Sequence, residues 1–225
     1  LINLAPYGVF CLLAKLFTRD GFDAIVNLAL YFSTIVFVLC FHAVVIYSAV
    51  LYLFTRLNPL KLFINMRPAM LFAFSTSSSN ATIPVTLSAA RERLGADNSI
   101  ASFTVPLGAT VNMDGTAIMQ GIATVFIAQA YGLELSMVQY LSVVATATLA
   151  SIGTAGVPGV GLITLAMVLQ QVGLPVEGIG LIIGVDRLLD MLRTVVNISG
   201  DGMVTTVVAH SEKRLNKDLF NTIKS

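Results

Sequence analysis

The chain has 225 residues, 56% of them hydrophobic and only 11% charged, against about a quarter charged in ordinary soluble domains. With a mean hydropathy of +0.85, the composition excludes a water-soluble globule, because no such fold hides that much apolar surface. A net charge of +1 offers no basic excess to nucleic acid.

The sequence opens at Leu1 with no charged leader before a cleavage site, so no signal peptide is read and a piece of a longer protein is expected. A spanning helix takes about 20 apolar residues. Residues 2–18 barely suffice and end at Thr18-Arg19-Asp20-Gly21. Residues 22–55 are a nearly unbroken apolar run that predicts one long, tilted helix, with His42 as part of a simple span. Cys11 and Cys40 sit in these runs without metal-ligand spacing and are expected to be core thiols.

From residue 60 the apolar runs are broken by small polar residues, glycine and proline. Ser75-Thr76-Ser77-Ser78-Ser79-Asn80 divides 60–95, Asn112-Met113-Asp114-Gly115-Thr116 interrupts 100–131, and the Gly153–Gly161 stretch divides 137–173. The halves of the first and third are too short to cross a bilayer alone but fit hairpins that enter and return. Broken backbone at membrane depth persists only where protein or a polar cavity satisfies its N–H and C=O groups. Paired interrupted segments of this kind point to a midplane binding site. The expected fold is an all-α membrane protein: transmembrane helices, two re-entrant helical hairpins and a broken helix.

Arg56, Lys61, Arg67, Arg91 and Arg93 surround the first hairpin, and no Lys or Arg follows until Arg187. The positive-inside rule then opens the first hairpin from the cytoplasm and the second from outside. Lys213, Arg214 and Lys217 put the C-terminus inside, while Lys15 and Arg19 run against the rule.

The last segment holds Asp186, Asp190, Arg193, Thr194, Asn197 and Asp201, spaced four, three, one, three and four apart. That spacing places all six on one helical stripe roughly 100° wide. Ionisable groups inside a membrane are costly unless paired or wetted, so the stripe is read as a polar ligand site; a structural ion-pair ladder is the plainer alternative. Asn112, Asp114 and Thr116 offer hard oxygen ligands suited to a small alkali or alkaline-earth cation, against the alternative of a kink with a satisfied Asp. Met113 alone reads as packing. The only histidines, His42 and His210, place no base near the serines, so no enzyme is expected. Ser and Asn at a tip cap half-helices and present N–H donors to an anion. The Gly156–Gly161 run has no preceding strand and is no phosphate loop.

Together the Ser-rich tip, Asn112-Met113-Asp114-Gly115-Thr116, Ser151-Ile152-Gly153-Thr154-Ala155-Gly156-Val157-Pro158-Gly159 and Asp190…Arg193-Thr194…Asn197…Gly200-Asp201 resemble the glutamate transporter homologues, the dicarboxylate/amino acid:cation symporter family. Order and spacing match over nearly the whole chain, which resembles the C-terminal half of the longer family proteins. The resemblance implies a trimer in the full-length parent, with a transport domain sliding past a scaffold like an elevator. Residues 1–20 would then be a scaffold-type helix, 22–215 the transport domain, and 216–225 a cytoplasmic tail. It implies a multi-pass protein of the plasma membrane (the inner membrane, if bacterial) that moves L-aspartate or L-glutamate with Na+.

In that resemblance Arg193 takes the substrate's side-chain carboxylate and Asp190 its ammonium. Asn197, Thr116 and the N–H of Ser79 take its α-carboxylate. Ser77, Val157 and Gly161 complete the pocket, with Ser78 and Thr194 beside them. One sodium site uses Gly108, Asn112, Asn197 and Asp201; a second uses Thr110, Ser151, Ile152 and Thr154 beside the Met113 sulfur. A third uses Asp114 and Asn112, its remaining ligands coming from a third span outside this chain.

Proton-coupled relatives carry Leu, Lys and Asn where this chain has Met113, Ile152 and Asp201, so the resemblance favours sodium. Neutral amino acid relatives lose the arginine at 193 and dicarboxylate relatives the aspartate at 190; both are present, which favours an acidic amino acid. The extra arginine of archaeal members falls at Ser77 and that of animal members at Met191, leaving Arg187 as the cation that would reach the cavity. The alternatives are a neutral amino acid or dicarboxylate symporter, or a fragment that cannot transport. Mutual saturation of Arg193 and Asp190 in an occluded core would overturn the carrier reading.

Overall fold

The computed structural model describes residues 25–222; the 2–18 segment, Cys11, Lys15 and Arg19 lie outside them. Helix α1, Ile25–Thr55, is the one described helix long and apolar enough to cross a membrane. Its 31 residues reach about 46 Å at 1.5 Å per residue, more than the roughly 30 Å of a hydrocarbon core, as a tilted span requires. It is not a simple span, because a π-helical turn, His42–Tyr47, interrupts it.

Helices α2 (Pro59–Thr76) and α3 (Ser79–Glu92) pack on each other across a two-residue turn. The Asn58 side chain accepts from the Leu60 N–H and Pro59 occupies the first position, a strong start signal. Ser77 ends α2 in the left-handed region at φ +51°, an uncommon place for a residue with a Cβ. Ser78 then caps α3 by accepting from the Ala81 N–H at 3.1 Å.

Helices α4 (Asn98–Val111) and α5 (Asp114–Ala130) are separated only by Asn112 and Met113, the predicted break. Helices α6 (Met137–Ser151) and α7 (Val160–Gln171) form the second packed pair, α6 starting with a Ser136–Gln139 capping box. A 3-10 turn, Val176–Leu181, leads into α8, Ile183–Ser211, and α9, Lys217–Asn221, follows. Among the described residues no strand forms, only an isolated bridge between Ala96 and Leu215.

Helix α8 is the axis: it packs against α1, α2, α3, α4 and α5. The burial is inside-out. Phe37, Val44, Leu53 and Phe54 of α1 are exposed, while Asp186, Asp190, Arg193, Asn197 and Asp201 of α8 are buried, the arrangement suited to an apolar surround. Cys40 is exposed on the outer face of α1, so the core-thiol expectation is corrected: an apolar side chain on an outward face of this helix is not in its core. The expected 216–225 tail is ordered through α9, whose Phe220 is buried and whose Phe220 carbonyl accepts from Asn65 Nδ2 at 2.9 Å.

Candidate functional site

The two tips meet over the middle of α8. Gly156 of the second tip accepts from Ser78 Oγ at 2.7 Å and from the Asn80 N–H at 3.1 Å. The Gly153 N–H reaches the Thr110 carbonyl at 2.9 Å. Gly156 lies so close to the first tip that a Cβ there would come 2.9 Å from both Ser79 Cβ and Asn80 Oδ1, so only glycine fits.

Beneath the tips is a cavity of about 20 Å³ lined by Ser77, Ser79, Met113, Thr116, Thr154, Ala155, Gly156, Val157, Gly161, Asp190, Arg193, Thr194 and Asn197. Every residue expected at the substrate lines it except Ser78, which caps α3 and ties the tips instead. Arg187 does not line it and is exposed, so the expectation that it reaches the cavity is corrected: its place on α8 falls off the buried stripe. A larger groove of about 770 Å³ between α1, α5 and α6 is mostly apolar and holds none of the expected site residues.

Arg193 is 1% exposed. Its Nη2 donates to Asp190 Oδ1 at 2.7 Å and lies 3.6 Å from Asp186 Oδ1, while Nε and Nη1 have no hydrogen-bond partner. Asp190 Oδ2 accepts from the Gly159 N–H at 3.0 Å. Arg193 and Asp190 are therefore paired without saturating each other. Leaving two guanidinium nitrogens unmatched in a buried site is costly, and an anion fits there. Ser77 Oγ, also buried, lacks a partner too. A Cβ on Gly161 would come 2.8 Å from Nη1, so the missing side chain is the room the guanidinium occupies.

The α4–α5 break is knitted to α8. Asn112 Nδ2 donates to the Asn197 carbonyl at 3.0 Å and to Asp201 Oδ1 at 2.9 Å. The Gly115 N–H donates to Asn197 Oδ1 at 2.8 Å, and Asn197 Nδ2 faces the Met113 sulfur at 3.2 Å. Gly108 packs directly on the Asp201 carboxylate, where a Cβ would overlap Oδ1. Asp201 is 2% exposed, and among the described residues no arginine or lysine pairs with it. A buried carboxylate with one amide donor and no countercharge is a poor end state, and a cation fits it. Carbonyl, amide and carboxylate oxygens suit an alkali ion. Among the described residues no three His, Cys, Asp or Glu side chains converge as a transition-metal site requires.

Of the second expected cation set, Ser151 and Thr154 are joined by the Thr154 N–H to the Ser151 carbonyl at 3.1 Å, and Thr110 touches the same loop through Gly153. Ile152 is 48% exposed at the end of α6. Asp114 starts α5, and its surroundings correct the sequence reading. His42 Nε2 is 3.1 Å and Tyr47 Oη 3.0 Å from Asp114 Oδ2, so His42 is no bystander in a plain span. The available signal was a histidine inside an apolar run, which needs a polar partner; nothing in the sequence marks Tyr47. Gln120, fully buried, donates to Thr164 Oγ1 at 2.6 Å and was also missed.

A model of the sodium:dicarboxylate symporter family matches residues 1–211. The chain is 42% identical over 211 residues to an excitatory amino acid transporter of Caenorhabditis elegans, covering 93% of this chain and 42% of that protein. It is 43% identical over 210 residues to the mouse (Mus musculus) excitatory amino acid transporter 3, covering 93% and 40%. Against the human (Homo sapiens) excitatory amino acid transporter 1 it is 42% identical over 208 residues, covering 92% and 38%. The chain thus spans about two fifths of the length of these curated relatives.

Proposed function

The chain belongs to the sodium:dicarboxylate symporter family, and on that footing we propose that it forms the substrate-binding half of a membrane symporter that moves aspartate or glutamate with sodium ions. The carrying observation is the buried Arg193 guanidinium, held by Asp190 through Nη2 alone, with Nε and Nη1 unmatched. In this reading an incoming side-chain carboxylate takes Arg193 with two parallel hydrogen bonds. Asp190, released, holds the ammonium, and Thr116, Asn197 and the Ser79 N–H take the α-carboxylate. A dicarboxylate would bring no ammonium for Asp190, which favours an amino acid.

A cavity of about 20 Å³ compares with roughly 300 Å³ or more for small-molecule sites, so the 152–159 loop must lift to admit a substrate. Sodium at Gly108, Asn112, Asn197 and Asp201 would neutralise Asp201. Sodium at Thr110, Met113, Ser151, Ile152 and Thr154 would draw the second tip down. Sodium would thereby bias closure through differential binding to the closed form. Residues 1–20 serve as scaffold, 22–215 as the moving domain with re-entrant hairpins, and the full-length protein is a homotrimer in the plasma membrane.

The test is competition against labelled aspartate in the full-length protein carrying Arg193→Cys. Loss of charge-assisted bonds worth about 1.5–3 kcal/mol should weaken aspartate by roughly ten- to a hundredfold and let neutral amino acids compete. An unchanged preference for aspartate overturns the assignment.

A further inference from the structure

Asp114 begins α5 beside the break, and one of its oxygens, Oδ2, meets both Tyr47 and His42. Tyr47 and His42 come from the same π-helical turn of α1 and converge on Oδ2, at 3.0 and 3.1 Å. A π turn adds a residue to the helical repeat, so side chains five apart swing onto one side; such turns recur at functional sites. Here the widened turn aims two polar side chains away from the apolar outer face of α1. Tyr47 is 2% exposed, and its ring and that of His42 meet edge to face with centroids 4.8 Å apart, which fixes both. Gly200 of α8 leaves the space: a Cβ there would come 2.7 Å from Tyr47 Oη and would overlap Asn112 Nδ2. Tyr47, Asp114, Asn112 and α8 are therefore one contiguous polar junction, built from four segments of the chain.

We propose that Tyr47 and His42 are positioning residues for a cation at Asp114: by donating to Oδ2 together they fix the carboxylate and leave Oδ1 as the oxygen presented to sodium. The hydroxyl of Tyr47 donates, because an ionised carboxylate only accepts. For the same reason Nε2 of His42 carries a proton toward Asp114. Two donors on one oxygen hold the side chain rotamer without adding countercharge from an arginine or lysine, so the carboxylate keeps its pull on a cation. Groups that orient a ligand in this way set metal affinity nearly as much as the ligands do. The inference rests on the reading of Asp114 as a cation ligand.

The experiment uses the full-length protein in detergent, with two readouts: the rise in melting temperature with sodium in the absence of substrate, and aspartate affinity at saturating sodium. For Tyr47→Phe and His42→Leu the half-saturating sodium concentration should rise by about tenfold, the scale for lost orienting partners, while aspartate affinity at saturating sodium holds. His42→Gln, which keeps an N–H near the Nε2 position, should restore much of the His42→Leu loss. No shift in sodium dependence, or an equal loss of aspartate affinity at every sodium concentration, overturns the proposal. Should Tyr47→Phe not fold, the His42 pair decides alone. Asp114→Asn is run in parallel. If it leaves the sodium dependence unchanged, the cation reading of Asp114 fails; if it shifts while the Tyr47 and His42 variants do not, only the positioning role fails.

Discussion

Nη1 of Arg193 has Gly161 where any other residue would put a Cβ 2.8 Å away. That contact makes Gly161→Ala a probe of the guanidinium that leaves its charge intact. Displacing Nη1 should weaken aspartate binding by about tenfold, or 1.4 kcal/mol, as read by titration calorimetry, with a melting curve as the check on folding. The same residue shows how far sequence reaches. Arg193, Asp190 and Asn197 were legible because ionisable groups on one face of an apolar helix need an explanation. Tyr47 was not: tyrosine is ordinary in apolar runs, and its role depends on a local change of helical repeat that no spacing announces. Asp186 was legible as part of the stripe, but its 3.6 Å approach to Nη2, a second carboxylate beside one guanidinium, depends on side-chain conformations that spacing does not fix.

At the scale of elements, the breaks were the readable part, since Gly, Pro and Ser clusters end helices for local reasons. Both helical pairs and the Asn112–Met113 break fall where composition placed them. What composition does not carry is how the tips engage each other. Ser78 does two jobs, capping α3 and donating to the Gly156 carbonyl of the other pair. Ser78→Ala should therefore cost about 1 kcal/mol as a lost cap and also loosen the second tip. Hydrogen exchange across 152–159 in the full-length protein should accelerate, where a cap acting on α3 alone would leave that loop unchanged.

For the molecule as a whole, the inside-out burial and, among the described residues, the one long apolar helix Ile25–Thr55 set the solvent it was built for. The polar stripe survives only because α1–α5 enclose it. The chain spans about two fifths of its relatives, and the 225 residues reconstituted alone in liposomes should show no sodium-driven aspartate uptake; robust uptake would show that the remainder is dispensable. The Asp190 carboxylate has a wider consequence. One oxygen is bonded to Arg193 and the other to the Gly159 N–H of the second tip. Under the proposed function, cargo and tip would share a single acid: the ammonium would take the oxygen that Arg193 releases, while Gly159 keeps its hold on the other. On that reading, recognition and the anchoring of the second tip meet in one side chain, and no substitution at residue 190 could remove one and keep the other.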